Sequence, residues 1–336
     1  MRYATIGTGW ITESLIDGAK QLTDMTLQAV YSRTEERAAA FAAKHGAKRW
    51  YTDLQAMAEA EDIDAVYIAS PNFLHAAHSA LFLSHGKHVL CEKPLTALPH
   101  EAEALQKLAA EKGLVYMEAI MLLYQPARQL LKEELQQLGR ITSAHLDFSQ
   151  LSSKYPALVR GEVPNIFNPA MATGCLMDVG VYCVYAALDL FGPPQEIRTV
   201  AGFLPTGADG WVSSLFQYGD KTVTLSASKV GQSRLGSEII GDQGTITVGS
   251  ISQLTGITRY DTKGCAQELV GEEEKATLMG REAAAFARYC AAPDAYAAER
   301  RYADQLALEV ARTMEMMRHQ AGISFEPPQP TGGEAE

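Results

Sequence analysis

Cysteine is scarce and scattered: Cys91, Cys175, Cys183, Cys265 and Cys290 are the five in 336 residues, and no two form a C-x-x-C pair. That excludes a zinc knuckle and a disulfide framework and predicts a reduced, cytoplasmic enzyme. Basic residues are outnumbered, 29 Lys and Arg against 40 Asp and Glu, for a net charge of −11. This balance argues against nucleic acid, which rewards a basic face, and against anionic membrane surfaces. No apolar run approaches the ~20 residues of a membrane span. The opening "MRYATIGTGW" has no signal-peptide architecture. The pairs His75/His78 and His85/His88 lack the H-E-x-x-H pattern and a nearby Cys or carboxylate set, so helix-surface histidines are expected and no metal site. No internal repeat is present.

What is there is a chain that is 47% hydrophobic and long enough to bury the cores of two domains. Short strand-like runs stand at 2–7, 26–31, 64–69, 87–91 and 114–117, with helix-like stretches at 11–20, 34–45, 72–84 and 98–111 between them. Strand–helix alternation at this spacing predicts βαβ units and a parallel sheet covered on both faces. After residue 122 the texture changes. A helix-like stretch at 124–138 is followed by strand-like runs near 141–150, 196–204, 211–218, 221–229, 235–240 and 244–248. "YGDK" at 218–221 reads as a hairpin turn. Strands in succession predict an antiparallel or mixed sheet, closed by helices near 276–291 and 297–319. The expected fold is therefore α/β: a Rossmann dinucleotide-binding domain at 1–122, then an α+β substrate and dimerisation domain at 123–328 with an open, mostly antiparallel sheet. The acidic, Pro/Gly-rich tail at 329–336 is predicted to be disordered.

"IGTGWIT" at 6–12 puts Gly7, Thr8, Gly9, Trp10 and Ile11 between the first strand and the mouth of a helix. Gly7 lets the chain turn sharply, and Gly9 lets backbone N–H groups approach a pyrophosphate at the helix's positive end. Thr12 stands where the third glycine of G-x-G-x-x-G is usual. At the end of the second strand, Ser32 and Arg33 occupy the place where an NAD enzyme usually has Asp or Glu. A hydroxyl and a guanidinium suit a 2′-phosphate, so NADP is favoured, with NAD as the alternative through Glu35 or Glu36.

Three further stretches carry a family likeness: "SPNFLH" at 70–75, "CEKPLT" at 91–96 and "GCLMDVGVY" at 174–182. With them, the chain from residue 2 to about 250 resembles the glucose–fructose oxidoreductase/inositol dehydrogenase (Gfo/Idh/MocA) family, and within it the dimeric dihydrodiol dehydrogenase-like branch. The resemblance implies an N-terminal Rossmann domain and a C-terminal domain whose open sheet commonly makes a dimer face. It implies that Lys93 lies beside nicotinamide and substrate, often with a cis bond to Pro94. Ser70, Pro71, Asn72, His75 and Glu92 are implied to line the cofactor site. The third motif keeps Gly174, Asp178, Gly180 and Tyr182 but departs at Thr173 and Cys175.

Oxidising a carbinol needs hydride sent to the nicotinamide and a proton taken from the hydroxyl. Asp178 and Tyr182, four apart on a helix read at 177–191, share one face. A phenol is a poor base at neutral pH, and an ammonium from Lys93 is expected to lower its pKa. Tyr182 is thus read as proton shuttle, Lys93 as its electrostatic partner, and Asp178 as the group that orients Lys93 and holds a substrate hydroxyl. The opposite split, with Lys93 as shuttle, fits the same residues. So does a plainer reading, in which Asp178 complements a helix dipole and Tyr182 is a half-buried aromatic with Tyr185 as its rival. Cys175 and Cys183 read as small core residues. The expected function is an NADP-dependent oxidoreductase acting on a sugar, polyol or cyclic diol. The alternative is a catalytically silent cofactor-binding regulator of the same fold. The sheet face at 211–229 predicts a homodimer or a dimer of dimers.

Overall fold

The computed structural model describes residues 1–326, so the predicted tail at 329–336 lies outside the described residues. Six parallel strands form the first sheet: β1 (Arg2–Ile6), β2 (Thr26–Tyr31), β3 (Arg49–Tyr51), β4 (Ala65–Ile68), β5 (His88–Glu92) and β6 (Tyr116–Ala119). Five helices connect them: α1 (Trp10–Leu22), α2 (Glu35–His45), α3 (Leu54–Glu59), α4 (His75–Ser84) and α5 (Pro99–Glu111). The spatial order β3-β2-β1-β4-β5-β6 reverses direction between β1 and β4. In such doubly wound sheets the crevice beyond the strand ends at this reversal is where ligands bind. β4 and β6 are buried along their whole length, as helices on both faces require. β3 and α3 went unread in the sequence because β3 is a short edge strand with little buried surface.

The remaining chain contributes α6 (Pro126–Leu135), β7 (Ile141–Ser149), α7 (Tyr155–Val159), α8 (Val181–Phe191), and strands β8 (Glu196–Phe203), β9 (Asp209–Gln217) and β10 (Thr222–Ser228). β11 (Ser237–Gly241), β12 (Gly244–Ser250), β13 (Thr255–Asp261) and β14 (Ala266–Val270) follow, then α9 (Lys275–Ala291) and α10 (Ala297–Ala321). The second sheet runs β14-β13-β12-β11-β7-β10-β9-β8. All its pairings are antiparallel except β7 with β10. Tyr218 N–H donates to Lys221 O at 3.0 Å, closing the hairpin expected at 218–221. One face buries Val212, Phe216, Val223, Leu225 and Ile239 under α8 and α10, while Trp211, Ser213, Thr224 and Val200 lie exposed on the other. β13 and β14 were not anticipated; β14 has no buried residue to set a two-residue period.

Two expectations need correction. Pro169–Phe191 is long and apolar enough to cross a membrane by composition, contrary to the reading that no run approaches that length. It is the buried core helix of this half, with 83% of its apolar window inside the protein. Its helix is also not continuous: a π-helical turn at Leu176–Gly180 precedes α8. Secondly, the division at residue 122 separates the two sheets but not all the packing. α9 lies against α1 of the first sheet, and Leu278, Met279, Ala283 and Phe286 join Tyr3, Leu15 and Ile16 in one core. Glycine makes that approach feasible, since a Cβ on Gly280 would stand 2.6 Å from Gly18 O.

Candidate active site

The turn after β1 is built for a ligand's close approach. Gly7 has φ +114°, and a Cβ there would meet Ala69 O at 2.7 Å, so only glycine fits. Gly9 caps α1 with nothing within 4 Å of where a Cβ would stand, and no side chain caps the helix. The first amides of α1 therefore face outward unclaimed, a cradle that fits a dinucleotide phosphate. Thr12 takes the third glycine's place wholly buried. Thr8 and Ile11 are half-buried and Trp10 is exposed. At the end of β2, Ser32 N–H donates to Tyr51 O, and Arg33 stands exposed. Arg37, also exposed, follows in the first turn of α2 and was passed over in the sequence.

The turns after β4 and β5 are tied together. Ser70, Pro71 and Asn72 are half-buried, and Asn72 Nδ2 donates to Ala172 O at 2.9 Å, reaching across to the second half of the chain. His75 is 1% exposed, its ring clamped between Pro94 O at 2.8 Å and Ser70 O at 2.9 Å. Burial pushes this imidazole's pKa down against the pull of the two carbonyls, and in its neutral form the ring donates to only one of them. His75 is therefore not the helix-surface histidine expected. Glu92 is buried, accepting from the Tyr67 hydroxyl at 2.5 Å and from Lys93 N–H at 3.3 Å. Burial raises its carboxyl. The Lys93–Pro94 bond is cis.

Lys93 and Asp178 meet as anticipated. Lys93 Nζ donates to Asp178 O at 2.5 Å and to Oδ1 at 2.9 Å. The other oxygen, Oδ2, pairs with Lys229, a residue that sequence reading missed because a lysine closing a hairpin strand carries no signal of its own. Burial would raise Asp178, but Lys93 and then Lys229 hold it well below the usual carboxylate range. Burial likewise opposes the Lys93 charge, but Asp178, Tyr182 and Glu92 together outweigh it, so the ammonium is firmly protonated.

Tyr182 differs from expectation. Lys93 Nζ lies over its ring, 5.2 Å from the centroid, and Phe148 packs against it with centroids 5.5 Å apart. Burial raises the phenol's pKa, and Lys93 lowers it without cancelling that rise. The predicted net lowering is thus wrong, because the ring is enclosed as well as charged upon. Tyr185 is no rival: its hydroxyl points inward and donates to Glu118.

The departures at Thr173 and Cys175 are absorbed locally. Thr173 Oγ1 donates to Asn165 O at 2.8 Å and to Asn168 O at 3.1 Å, and Cys175 is a buried core residue. Gly174, at φ +142°, leaves room for the Asp209 carboxylate, whose Oδ2 accepts from Leu176 N–H at 2.7 Å. Asp209, also unforeseen, thereby caps the turn that presents Asp178. Among the described residues no three His, Cys, Asp or Glu gather to hold a metal.

Comparison with known proteins identifies the family and the fold. Residues 1–120 match the profile of an oxidoreductase family with an NAD-binding Rossmann fold, and residues 124–247 match the GFO/IDH/MocA C-terminal domain. The chain is 42% identical over 251 residues to an NADP(+)-dependent scyllo-inositol 2-dehydrogenase of Bacillus subtilis, covering 75% of this chain and 76% of that one. It is 35% identical over 194 residues to a trans-1,2-dihydrobenzene-1,2-diol dehydrogenase of Oryctolagus cuniculus, 56% of each chain. A levoglucosan dehydrogenase solved with NADH and levoglucosan shares the fold at TM-score 0.83 and 18% identity, over 96% of this chain and 97% of that one.

Asp209 generates a pH test. Burial raises its carboxyl from 3.8 to about 6. An acid whose native value exceeds its unfolded value stabilises the fold at low pH; that contribution is lost as pH rises from about 3.8 through about 6. The size is on the order of 3 kcal/mol, at 1.36 kcal/mol per pKa unit. Urea unfolding of wild type and Asp209→Asn across pH 3.5–7 is expected to show a shallower decline in the variant. Identical pH slopes would remove Asp209 as the source.

Proposed function

The chain belongs to the Gfo/Idh/MocA family of NAD(P)-dependent oxidoreductases, and we propose that it moves hydride between NADP(H) and a ring carbinol or carbonyl of a cyclic polyol or related sugar. The observation that carries this reading is the Lys93–Asp178–Lys229 chain of charge beside Tyr182, with Lys93 at the same C-terminal edge of the parallel sheet as the cradle at Gly7–Gly9. The scyllo-inositol dehydrogenase relative supports a cyclic polyol, and two ammonium groups flanking a carboxylate suit a substrate bearing several hydroxyls.

When bound, the nicotinamide supplies the hydride acceptor or donor; the chain's own residues manage the proton and the charge. Lys93, held by Asp178, donates to the reacting oxygen and offsets its developing negative charge. Tyr182, whose hydroxyl makes no hydrogen bond among the described residues, passes the proton. Lys229 keeps Asp178 ionised and in place. Phenol and ammonium are both protonated at neutral pH, the form that returns a proton to a carbonyl. The phenolate needed for carbinol oxidation grows with pH, so oxidation quickens on the alkaline side while reduction stays level through neutrality.

On a panel of inositols, aldoses and cyclic diols read by reduced-nicotinamide absorbance, turnover is expected on cyclic polyols with NADP+. Lys93→Met and Tyr182→Phe should each lose ~10² to 10⁴-fold in kcat, with cofactor affinity little changed. Tyr182→Phe should also flatten the alkaline rise in the oxidation rate. A Tyr182→Phe enzyme with normal kcat and pH profile transfers the proton role to Lys93, and two fully active variants sink the site.

Ser32 and Arg33 at the end of β2 and Arg37 in the first turn of α2, with no carboxylate at the ribose-accepting place, support NADP over NAD. Calorimetry is expected to show tighter NADP+ than NAD+ binding, and Arg33→Ala to erase most of the difference. A preference untouched by that change contradicts the assignment.

We also propose that a second copy covers the open face of the second sheet, where Val200, Trp211 and Ile240 stand exposed among serines and threonines. Sedimentation equilibrium at micromolar concentration should return a homodimer or a dimer of dimers; a monomer refutes this.

A further inference from the structure

Glu118, the third residue of β6, is 7% exposed and lies outside the set of residues given roles above. Its carboxylate accepts on both oxygens. Oε1 takes the Leu95 N–H at 2.9 Å, and Oε2 takes the Tyr185 hydroxyl. Leu95 is two residues past Lys93, in the turn that β5 delivers. Tyr185 is three residues past Tyr182, close to one turn further along α8. A single side chain of the first sheet therefore grips both the loop that carries the ammonium and the helix that carries the phenol. Among the described residues no other side chain bonds to both. The packing around it leaves slack on either side. Two cavities of about 10 Å³ flank Glu118, one reaching Tyr124 and Asp304, the other Met177 and Met314. Each is about the size of one water, so van der Waals contact alone does not lock the turn against α8.

We propose that Glu118 is a positioning residue that sets the spacing between Lys93 and Tyr182 required for proton transfer. The inference rests on the roles proposed for those two residues. The physical reason is the steep dependence of positioned catalysis on distance, where a misplacement of about 1 Å costs on the order of 10²-fold. A carboxylate is the side chain suited to the place, because both its oxygens accept while both partners donate. An amide presents one acceptor and one donor, so Glu118→Gln keeps the Leu95 arm and weakens the Tyr185 arm, where the phenol must turn and accept from the amide N–H. Tyr185→Phe removes the helix arm alone and leaves the ring's packing.

The test compares wild type, Glu118→Gln, Tyr185→Phe and the double variant in kcat, in NADP+ affinity by calorimetry, and in thermal midpoint. Each single change is expected to lower kcat roughly 10- to 100-fold, with the NADP+ Kd within about twofold of wild type. The double variant should be no slower than the slower single, since both break one tie. If both variants keep wild-type kcat and only the thermal midpoint falls, Glu118 is a structural brace and the inference is overturned. Additive losses overturn it as well, because independent effects share no spacing. Should Glu118→Gln fail to fold, Tyr185→Phe decides alone. Failure of the underlying reading is distinguishable: Lys93→Met and Tyr182→Phe would then be active, whatever Glu118→Gln does.

Discussion

The contact on which the rest of this structure depends is the ion pair between Lys93 and Asp178. Lys93 leaves the C-terminal end of β5 in the first sheet, and Asp178 sits in the π-helical turn that leads into α8, on the second. Neither charge has much water: the side chains are 14% and 23% exposed. Taking two charges out of solvent is costly, and removing one partner of such a pair costs about 3–5 kcal/mol because the other is left uncompensated. The pair is thus weak as a source of stability and strong as a constraint. It holds the edge of one sheet to the helix that covers the other, and it does so at the mouth of the dinucleotide crevice.

A constraint of this kind works only if the backbone on both sides is stiff, and buried polar side chains make it so. His75 clamps the turn after β4 to the turn after β5. Asp209 caps the turn presenting Asp178. Asn72 carries a hydrogen bond from the first half of the chain to Ala172, just before the glycine turn. Each of these groups bonds to main-chain atoms, so the side chains of the site hang from a braced frame.

The charge balance of the site follows from the same geometry. Two ammoniums, Lys93 and Lys229, share one carboxylate, Asp178, so the trio carries about one net positive charge. In the proposed reaction that excess offsets the negative charge an oxygen gains when a carbinol loses its proton, in surroundings where fixed charges act more strongly than in water. Glu92, its carboxyl raised by burial and lowered by Lys93, is the chain neighbour of that ammonium.

Much of this was legible in the chain. Glycine at 7 and 9 after an apolar run, the Ser-Arg ending of β2, and a charged pair locked by Pro94 are local signals, because turn geometry and helix-terminus chemistry are decided within a few residues. The strand–helix rhythm predicted the parallel sheet for the same reason, and alternation at 211–229 predicted a sheet with one face left open. Tertiary structure alone decided the rest. Lys229, Asp209 and Glu118 resemble ordinary residues of their types until non-local pairing brings them to Asp178, Leu176 and Leu95. The edge strands β3 and β14 bury too little to impress a period on the sequence. Tyr182 shows the limit most plainly. A sequence can say that a lysine stands near a phenol, but whether the phenol's pKa falls or rises depends on how much water the fold leaves around it, and here the enclosing core prevails over the neighbouring charge.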